Sequence, residues 1–397
     1  MSRPWQVAIT GIGCICAAGA SVPECLETLY RGERDPRPPT RYSSSHSTAY
    51  PVFEIPGFEE PPEILRTAAL GVHAAREALA DARLAPAELE RLRVGVCVGT
   101  TVGSAFNNEV FCREYRAGID PDLEPIERIL RSNPAEVIAG EFGFDGPCQT
   151  VVNACASGTD AVGIGASWIR GGICDVVIAG GADELGRITY NGFISLMITD
   201  DSPCRPFDRD RKGLNLGEGA GMLVLESEVV RARRSKKARS FLIGYGSACD
   251  AHHLTAPKPD GDGLRRALAE ALGCCGTAPG EIAFVNAHGT GTPDNDRVES
   301  RVLADVLPGV PFISTKGYTG HTLGAAGAIE AVFTVACLER GRIPGNAGFR
   351  TPDPELGGTP VPEAAEIGGS VALSESLAFG GSNSVIVLAK GEEAPCA

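Results

Sequence analysis

Short β-branched, apolar runs that end in Gly or Ala recur along the chain: Val7 to Gly11, Val94 to Gly99, Val176 to Gly181, Phe241 to Gly246 and Ile282 to Ala287. Runs of that length and composition predict buried strands. Between them lie alanine-rich stretches, Ala68 to Arg83 and Ala156 to Arg170, whose composition is helical. Alternating strands and helices predict a layered α/β fold rather than a sandwich or a bundle. A further strand, Met222 to Leu225, is followed by the basic stretch Val230 to Arg239, which places the join between two halves of similar kind there. The expected division is residues 1–235 and residues 236–397, although no internal repeat is strong enough to establish it from sequence. The proline-rich segments Asp35 to Arg41 and Pro51 to Pro62 read as surface loops.

With 397 residues the chain can bury a large core, and its 50 glycines predict many tight turns and close backbone approaches. A net charge of −14 argues against general nucleic-acid or anionic-membrane binding, which needs a basic surface. The N-terminus passes from Met1-Ser2-Arg3-Pro4-Trp5 directly into strand-like sequence, and no apolar run reaches membrane-spanning length. A cytoplasmic protein is expected. The 14 cysteines are scattered with no CxxC pair, so neither a disulfide framework nor a metal site is expected. Cys14, Cys16, Cys97, Cys174 and Cys249 stand in apolar surroundings that suit buried, reduced thiols.

Cys155 is different. It follows the strand-like Val151-Val152 and precedes small residues that open a helix, Ala156-Ser157-Gly158-Thr159-Asp160. A helix N-terminus favours the thiolate, lowering a pKa that starts at about 8.5 and making a nucleophile. Two histidines, His288 in NAHGTGTP and His321 in STKGYTGH, lie just past apolar runs in Gly- and Thr-rich loops, where side chains are commonly presented to a pocket. A third such loop is Phe379-Gly380-Gly381-Ser382-Asn383.

Together with PCRPFDRDRKGLNLGE (Pro203 to Glu218), these segments resemble the condensing enzymes of the thiolase superfamily, and among them the elongating β-ketoacyl-[acyl-carrier-protein] synthases and their polyketide relatives. The resemblance runs from Thr10 to Asn383. It implies a thiolase fold, two similar halves layered α-β-α-β-α. It also implies an acyltransferase in which Cys155 takes an acyl group from its carrier, with the N–H groups of Cys155 and Phe379 as oxyanion hole. His288 and His321 would hold the malonyl thioester and stabilise the enolate formed on decarboxylation. Lys316 would meet Glu299 and tune the histidines, with Asp296 in the same supporting loop. Thr290 and Thr292 match positions that bind the phosphopantetheine arm. Val102, Phe193 and Phe379 match positions that line or gate the acyl tunnel, and Asp250 to Thr255 matches a mobile loop opposite that gate, with His253 structural or gating. Glu218 would be architectural, and Arg205 and Asp208 would form an internal salt bridge. No bound cofactor is implied beyond the phosphopantetheine of an acyl carrier protein. A homodimer, or a heterodimer with a chain-length-factor-like subunit, is implied as well.

A thiolase would need a second acid/base cysteine near the C-terminus. The 379–383 loop has none, and Cys396 lies in a tail that reads as disordered. Initiating synthases pair Cys with His and Asn, whereas His321 occupies the second position here. A non-catalytic chain-length factor normally lacks the nucleophile. The expected carrier-docking stretches, Glu59 to Glu63 and Phe193 to Met197, are acidic or apolar with only Arg66 nearby. With Gly317-Tyr318 and Leu377-Ala378, that departure points toward aryl polyene or related specialised synthesis rather than housekeeping fatty-acid elongation.

Overall fold

The structure, a computed structural model, describes residues 5–103 and 108–391. The first four residues and the tail carrying Cys396 lie outside the described residues. The strands are β1 (Val7–Cys16), β2 (Val94–Gly99), β3 (Cys148–Val151), β4 (Val176–Asp183), β5 (Gly219–Glu226), β6 (Ser240–Cys249), β7 (Ile282–Asn286), β8 (Phe312–Ile313), β9 (Arg342–Ile343), β10 (Ala365–Glu366), β11 (Val371–Ala378) and β12 (Ser382–Lys390). Strands β9 and β10 pair with each other, and the rest form a 10-stranded sheet in the order β3-β2-β4-β5-β1-β6-β12-β11-β7-β8.

That order reads alike from both ends. From the edge inward, β3-β2-β4-β5-β1 is matched by β8-β7-β11-β12-β6, and each pair has the same sense as its counterpart. The outer pairings are parallel (β3/β2 and β2/β4; β8/β7 and β7/β11), and the inner ones are antiparallel (β4/β5 and β5/β1; β11/β12 and β12/β6). The duplication that the sequence conceals is thus explicit in topology. β1 and β6 join the two sets antiparallel through Val7 to Ile9.

Helices Ser157–Arg170 and Ala326–Arg340 touch strands of both sets. Helix Arg66–Ala82 packs on β1, β4 and β5, and helix Asp262–Cys275 on β6 and β12. The sheet therefore doubles over a central helical layer, giving the expected α-β-α-β-α architecture. Sequence explains the layer. Helix Ala326–Arg340 is buried from Ala326 to Leu338 and apolar all round, as a helix between two sheets must be. The close approach of helix Ser157–Arg170 needs glycine: a Cβ at Gly158 would stand 2.7 Å from the Gly324 carbonyl.

Several expectations need correction. Strand β6 runs on to Cys249, which is exposed at its end, while Cys14, Cys16, Cys97 and Cys174 are buried as expected. The 51–62 segment is only partly surface, because Val52, Phe53 and Ile55 are buried and Phe53 N–H donates to the Leu216 carbonyl at 2.8 Å. Asp208 spends its oxygens on the backbone amides of Asp210, Arg350 and Thr351, so no bridge to Arg205 forms. Among the described residues no helix is long and apolar enough to cross a membrane.

Glu218 is architectural, as expected. It receives two hydrogen bonds from Arg66, Nε to Oε2 at 2.9 Å and Nη2 to Oε1 at 2.7 Å, and both side chains are almost wholly buried. Arg66→Leu leaves that carboxylate buried without its partner, which should cost about 3–5 kcal/mol. Urea denaturation measures it; a loss below about 1 kcal/mol would mean that the pair is not holding the fold.

Candidate active site

Cys155 lies at the meeting of β3 and helix Ser157–Arg170, one residue before the helix cap at Ala156. Ala154 before it is left-handed, φ 46°, a conformation that turns the chain sharply and presents the thiol. The turn is braced on its own backbone. The Ala154 carbonyl accepts from Ser157 Oγ at 2.6 Å and from Thr101 Oγ1 at 2.9 Å.

Both histidines arrive from the second strand set. His288 follows β7, and His321 ends a short turn after helix Lys316–Thr319. His321 Nε2 stands 2.9 Å from Cys155 Sγ, and the imidazole centroids are 5.2 Å apart and nearly perpendicular. The Phe379 backbone N–H faces the Cys155 thiol and favours its ionised form. Thiol, imidazoles and backbone donor thus converge on a cleft of about 170 Å³. Thr290 and Thr292, their hydroxyls 2.8 Å apart, line it, as do Phe193 and Phe379, whose rings stack at 5.7 Å. Val102 packs in the apolar cluster that includes Phe193. The 250–258 loop does face the gate: Gly380 N–H donates to the Leu254 carbonyl at 2.8 Å. His253 is exposed there, and its Nδ1 accepts from the amides of Thr255 and Ala256, a loop-shaping role.

Lys316 is 1% exposed, and its ammonium lies between the Glu330 carboxylate and His288 Nδ1, 3.0 Å from the latter. The expected partner Glu299 faces elsewhere. It accepts the N–H groups of His288 and Gly289, which leaves Glu330 as the lysine's ion-pair partner. Sequence reasoning missed Glu330, yet a signal existed: a lone carboxylate in the apolar run AGAIEAVFTVACL. Asp296 holds the 289–292 loop by accepting from Gly291 N–H at 3.2 Å and Phe207 N–H at 2.7 Å. Gly317 and Tyr318 are set by packing, since a Cβ at Gly317 would sit 2.5 Å from the Ala347 carbonyl and Tyr318 Oη donates to the Gly345 carbonyl at 2.7 Å. They therefore carry no information about substrate.

Desolvation dominates the electrostatics. Burial pushes the Cys155 thiol up to about 12, with Lys316 and the Phe379 N–H pulling the other way. Loss of hydration thus opposes the thiolate that a helix terminus favours, and it outweighs the pull of Lys316 and the Phe379 N–H. Burial, then the Lys316 charge, hold both histidines well below 6.5, so both are neutral. Glu330 is raised to about 7 by burial against the pull of Lys316. Because His288 Nδ1 faces the ammonium, its proton resides on Nε2. His321 Nδ1 is buried with no hydrogen-bond partner among the described residues and so commits the ring to neither tautomer.

Comparison with known proteins agrees with the resemblance. Residues 5–230 match the family model "Beta-ketoacyl synthase, N-terminal domain", and residues 239–350 match its C-terminal counterpart. A 3-oxoacyl-[acyl-carrier-protein] synthase 2 of Synechocystis is 33% identical over 97% of this chain and 98% of its own. Among solved structures, the ishigamide ketosynthase/chain length factor has a TM-score of 0.92 at 35% identity over 97% of this chain and 99% of its own. A type II polyketide synthase acyl-carrier protein in complex with its ketosynthase has a TM-score of 0.90 at 28% identity, covering 98% of this chain and all of the matched one, 100%.

Lys316→Met should raise the titration points of His288 and His321 toward 6.5, since the ammonium disfavours a second positive charge beside it. The same change should slow iodoacetamide alkylation of Cys155, because that ammonium also favours the thiolate. Histidine NMR titration and alkylation rates read both. Unmoved titrations would mean that the lysine does not set the imidazole charge.

Proposed function

The chain belongs to the β-ketoacyl synthases, and we propose that Cys155, His288, His321 and Lys316 carry out the condensation by which that family lengthens an acyl chain. Its activity is that of a 3-oxoacyl-[acyl-carrier-protein] synthase, an acyltransferase. The observation that carries the assignment of roles is the 2.9 Å contact between His321 Nε2 and Cys155 Sγ inside a buried cleft.

In the first half-reaction the Cys155 proton passes to His321 Nε2, and the thiolate attacks the carrier's thioester carbonyl. The N–H groups of Cys155 and Phe379 stabilise the resulting oxyanion. The carrier thiol leaves with the proton. In the second half-reaction a malonyl thioester enters, its carbonyl facing His288 Nε2–H and the His321 edge. Carbon dioxide departs, and the enolate carbon attacks the acyl-Cys155 carbonyl. Cys155 leaves as thiolate and takes up one proton. Freedom of the His321 tautomer lets Nε2 accept in one half-reaction and donate in the other.

Glu299 and Asp296 shape the His288 loop from behind, and Lys316 sets the His288 tautomer. Thr290 and Thr292 bind the phosphopantetheine arm of an acyl carrier in this reading, which their position on the cleft wall supports, the cofactor being the carrier's own. A homodimer, or a heterodimer with a chain-length-factor-like subunit, fits the free edge of β3 and the exposed Val152 beside it, since an open edge strand invites pairing. Arg66 is buried and unavailable for docking, so the carrier must use other bases. One solved relative is a ketosynthase/chain length factor and the other a type II polyketide ketosynthase, which supports specialised synthesis. The complete Cys-His-His-Lys set supports a catalysing subunit over a chain-length factor.

Cys155→Ala should abolish acyl-enzyme and product while the protein stays folded. Acylated protein in mass spectrometry of this variant would disprove the nucleophile. Val102→Phe should shorten the longest chain made; unchanged product lengths would remove Val102 from the tunnel wall.

A further inference from the structure

The proposed oxyanion hole has one donor from each strand set, the N–H of Cys155 after β3 and the N–H of Phe379 between β11 and β12. Their spacing is not fixed by any single element. Something must tie the nucleophile turn to the gate loop, or the two donors will not converge on one oxygen.

A chain of side-chain hydrogen bonds makes that tie. Asn153, two residues before the nucleophile, accepts at Oδ1 from Ser382 Oγ at 2.8 Å, three residues after Phe379. Its amide nitrogen donates at 2.5 Å to Asp160 Oδ2, in the first turns of the nucleophile's helix. Asp160 is buried, and its other oxygen accepts from Ser384 on β12 and from Tyr245 on β6, the latter at 2.9 Å. The backbone of Asn153 is fixed in turn, its N–H donating to Ser157 Oγ at 2.8 Å. One carboxylate and one amide therefore reach the nucleophile turn, the helix behind it and two strands of the opposite set.

We propose that Asn153, Asp160 and Ser382 are positioning residues that set the separation of the two oxyanion donors, by clamping the Cys155 turn to the Phe379 loop. This rests on the oxyanion hole assigned above. None of the three needs to touch substrate. The arrangement assigns a job to Asp160, which the mechanism otherwise leaves unused despite its burial five residues after the nucleophile. It also explains why the bond to Ser382 uses the amide oxygen of Asn153: Asp160 occupies the nitrogen end, so the amide can point only one way.

The test separates steps that need the hole from steps that do not. Acyl transfer to Cys155 and condensation pass through tetrahedral oxyanions. Alkylation of Cys155 by iodoacetamide does not, and malonyl decarboxylation places its charge at the histidines. Ser382→Ala should slow acylation of Cys155 by acyl-carrier roughly ten- to a hundredfold, less than or equal to the loss of a whole oxyanion donor. Alkylation and decarboxylation should stay within about twofold, and Ser382→Thr, which keeps the hydroxyl, should recover acylation. Asp160→Asn, close in shape, should give the same pattern and serves as the second variant if either serine change lowers yield. Parallel loss of all three rates, or acylation unchanged in both Ser382→Ala and Asp160→Asn, would overturn the clamp. Failure of the oxyanion hole itself would show differently, as wild-type Cys155 that forms no acyl-enzyme.

Discussion

Everything at this site is arranged around one buried ammonium. A lysine deprived of water is tolerable only if a carboxylate and further acceptors replace the lost hydration, and Lys316 has Glu330 and His288 Nδ1 in those places. Three consequences follow. Its charge adds to burial in keeping both imidazoles neutral, it directs the His288 proton to the nitrogen that faces the cleft, and it is the first of the groups that draw the Cys155 thiol back toward ionisation. Helix Ala326–Arg340, apolar all round, exists as a central layer that can carry Glu330 to this point.

Duplication of the strand order supplies the rest. The nucleophile comes at the end of β3 in one set, and His288 comes after β7 in the other, so β2-β3 and β7-β8 contribute to one cleft from opposite directions. Asp183 at the end of β4 staples the two sides: its carboxylate accepts from Thr100 Oγ1 and from the amides of Thr101 and Gly324, the last at 2.7 Å. A site built across two sets can bring together groups that no single loop could hold, at the cost of needing polar ties between them.

The sequence made the elements and the reacting residues readable because both leave local marks. Val94 to Gly99 is β2 to the residue, and helix Ser157–Arg170 begins one residue from its predicted start. Cys155, His288 and His321 stand in small-residue loops that only a site requires. What stayed hidden was relational. Glu330 and Asp160 are single carboxylates and Asp183 stands beside Glu184, all in ordinary helical or strand contexts, and their partners are distant in sequence. The Lys316 partner was misplaced onto Glu299 for the same reason: both acids are buried near the lysine, and only geometry shows that Glu299 is already engaged with the amides of His288 and Gly289. The burial that opposes ionisation of Cys155 was hidden as well, because a helix N-terminus is visible in sequence and the depth of burial is not.

That depth resolves why a thiol pushed up to about 12 suits this chemistry. A neutral thiol beside a neutral His321 separates charge only when an electrophilic carbonyl is present to receive it. The same economy governs decarboxylation. Among the described residues, Asp250 and Asp294 are the charged ones lining the cleft, and no lysine or arginine lines it. A malonyl carboxylate entering there finds no cation, since the nearby ammonium is shielded behind His288 and satisfied by Glu330. Loss of carbon dioxide moves the negative charge from a carboxylate without a partner to an enolate oxygen beside His288 Nε2–H. The cleft is thus better suited to the charge after that step than before it, which is the condition for accelerating it.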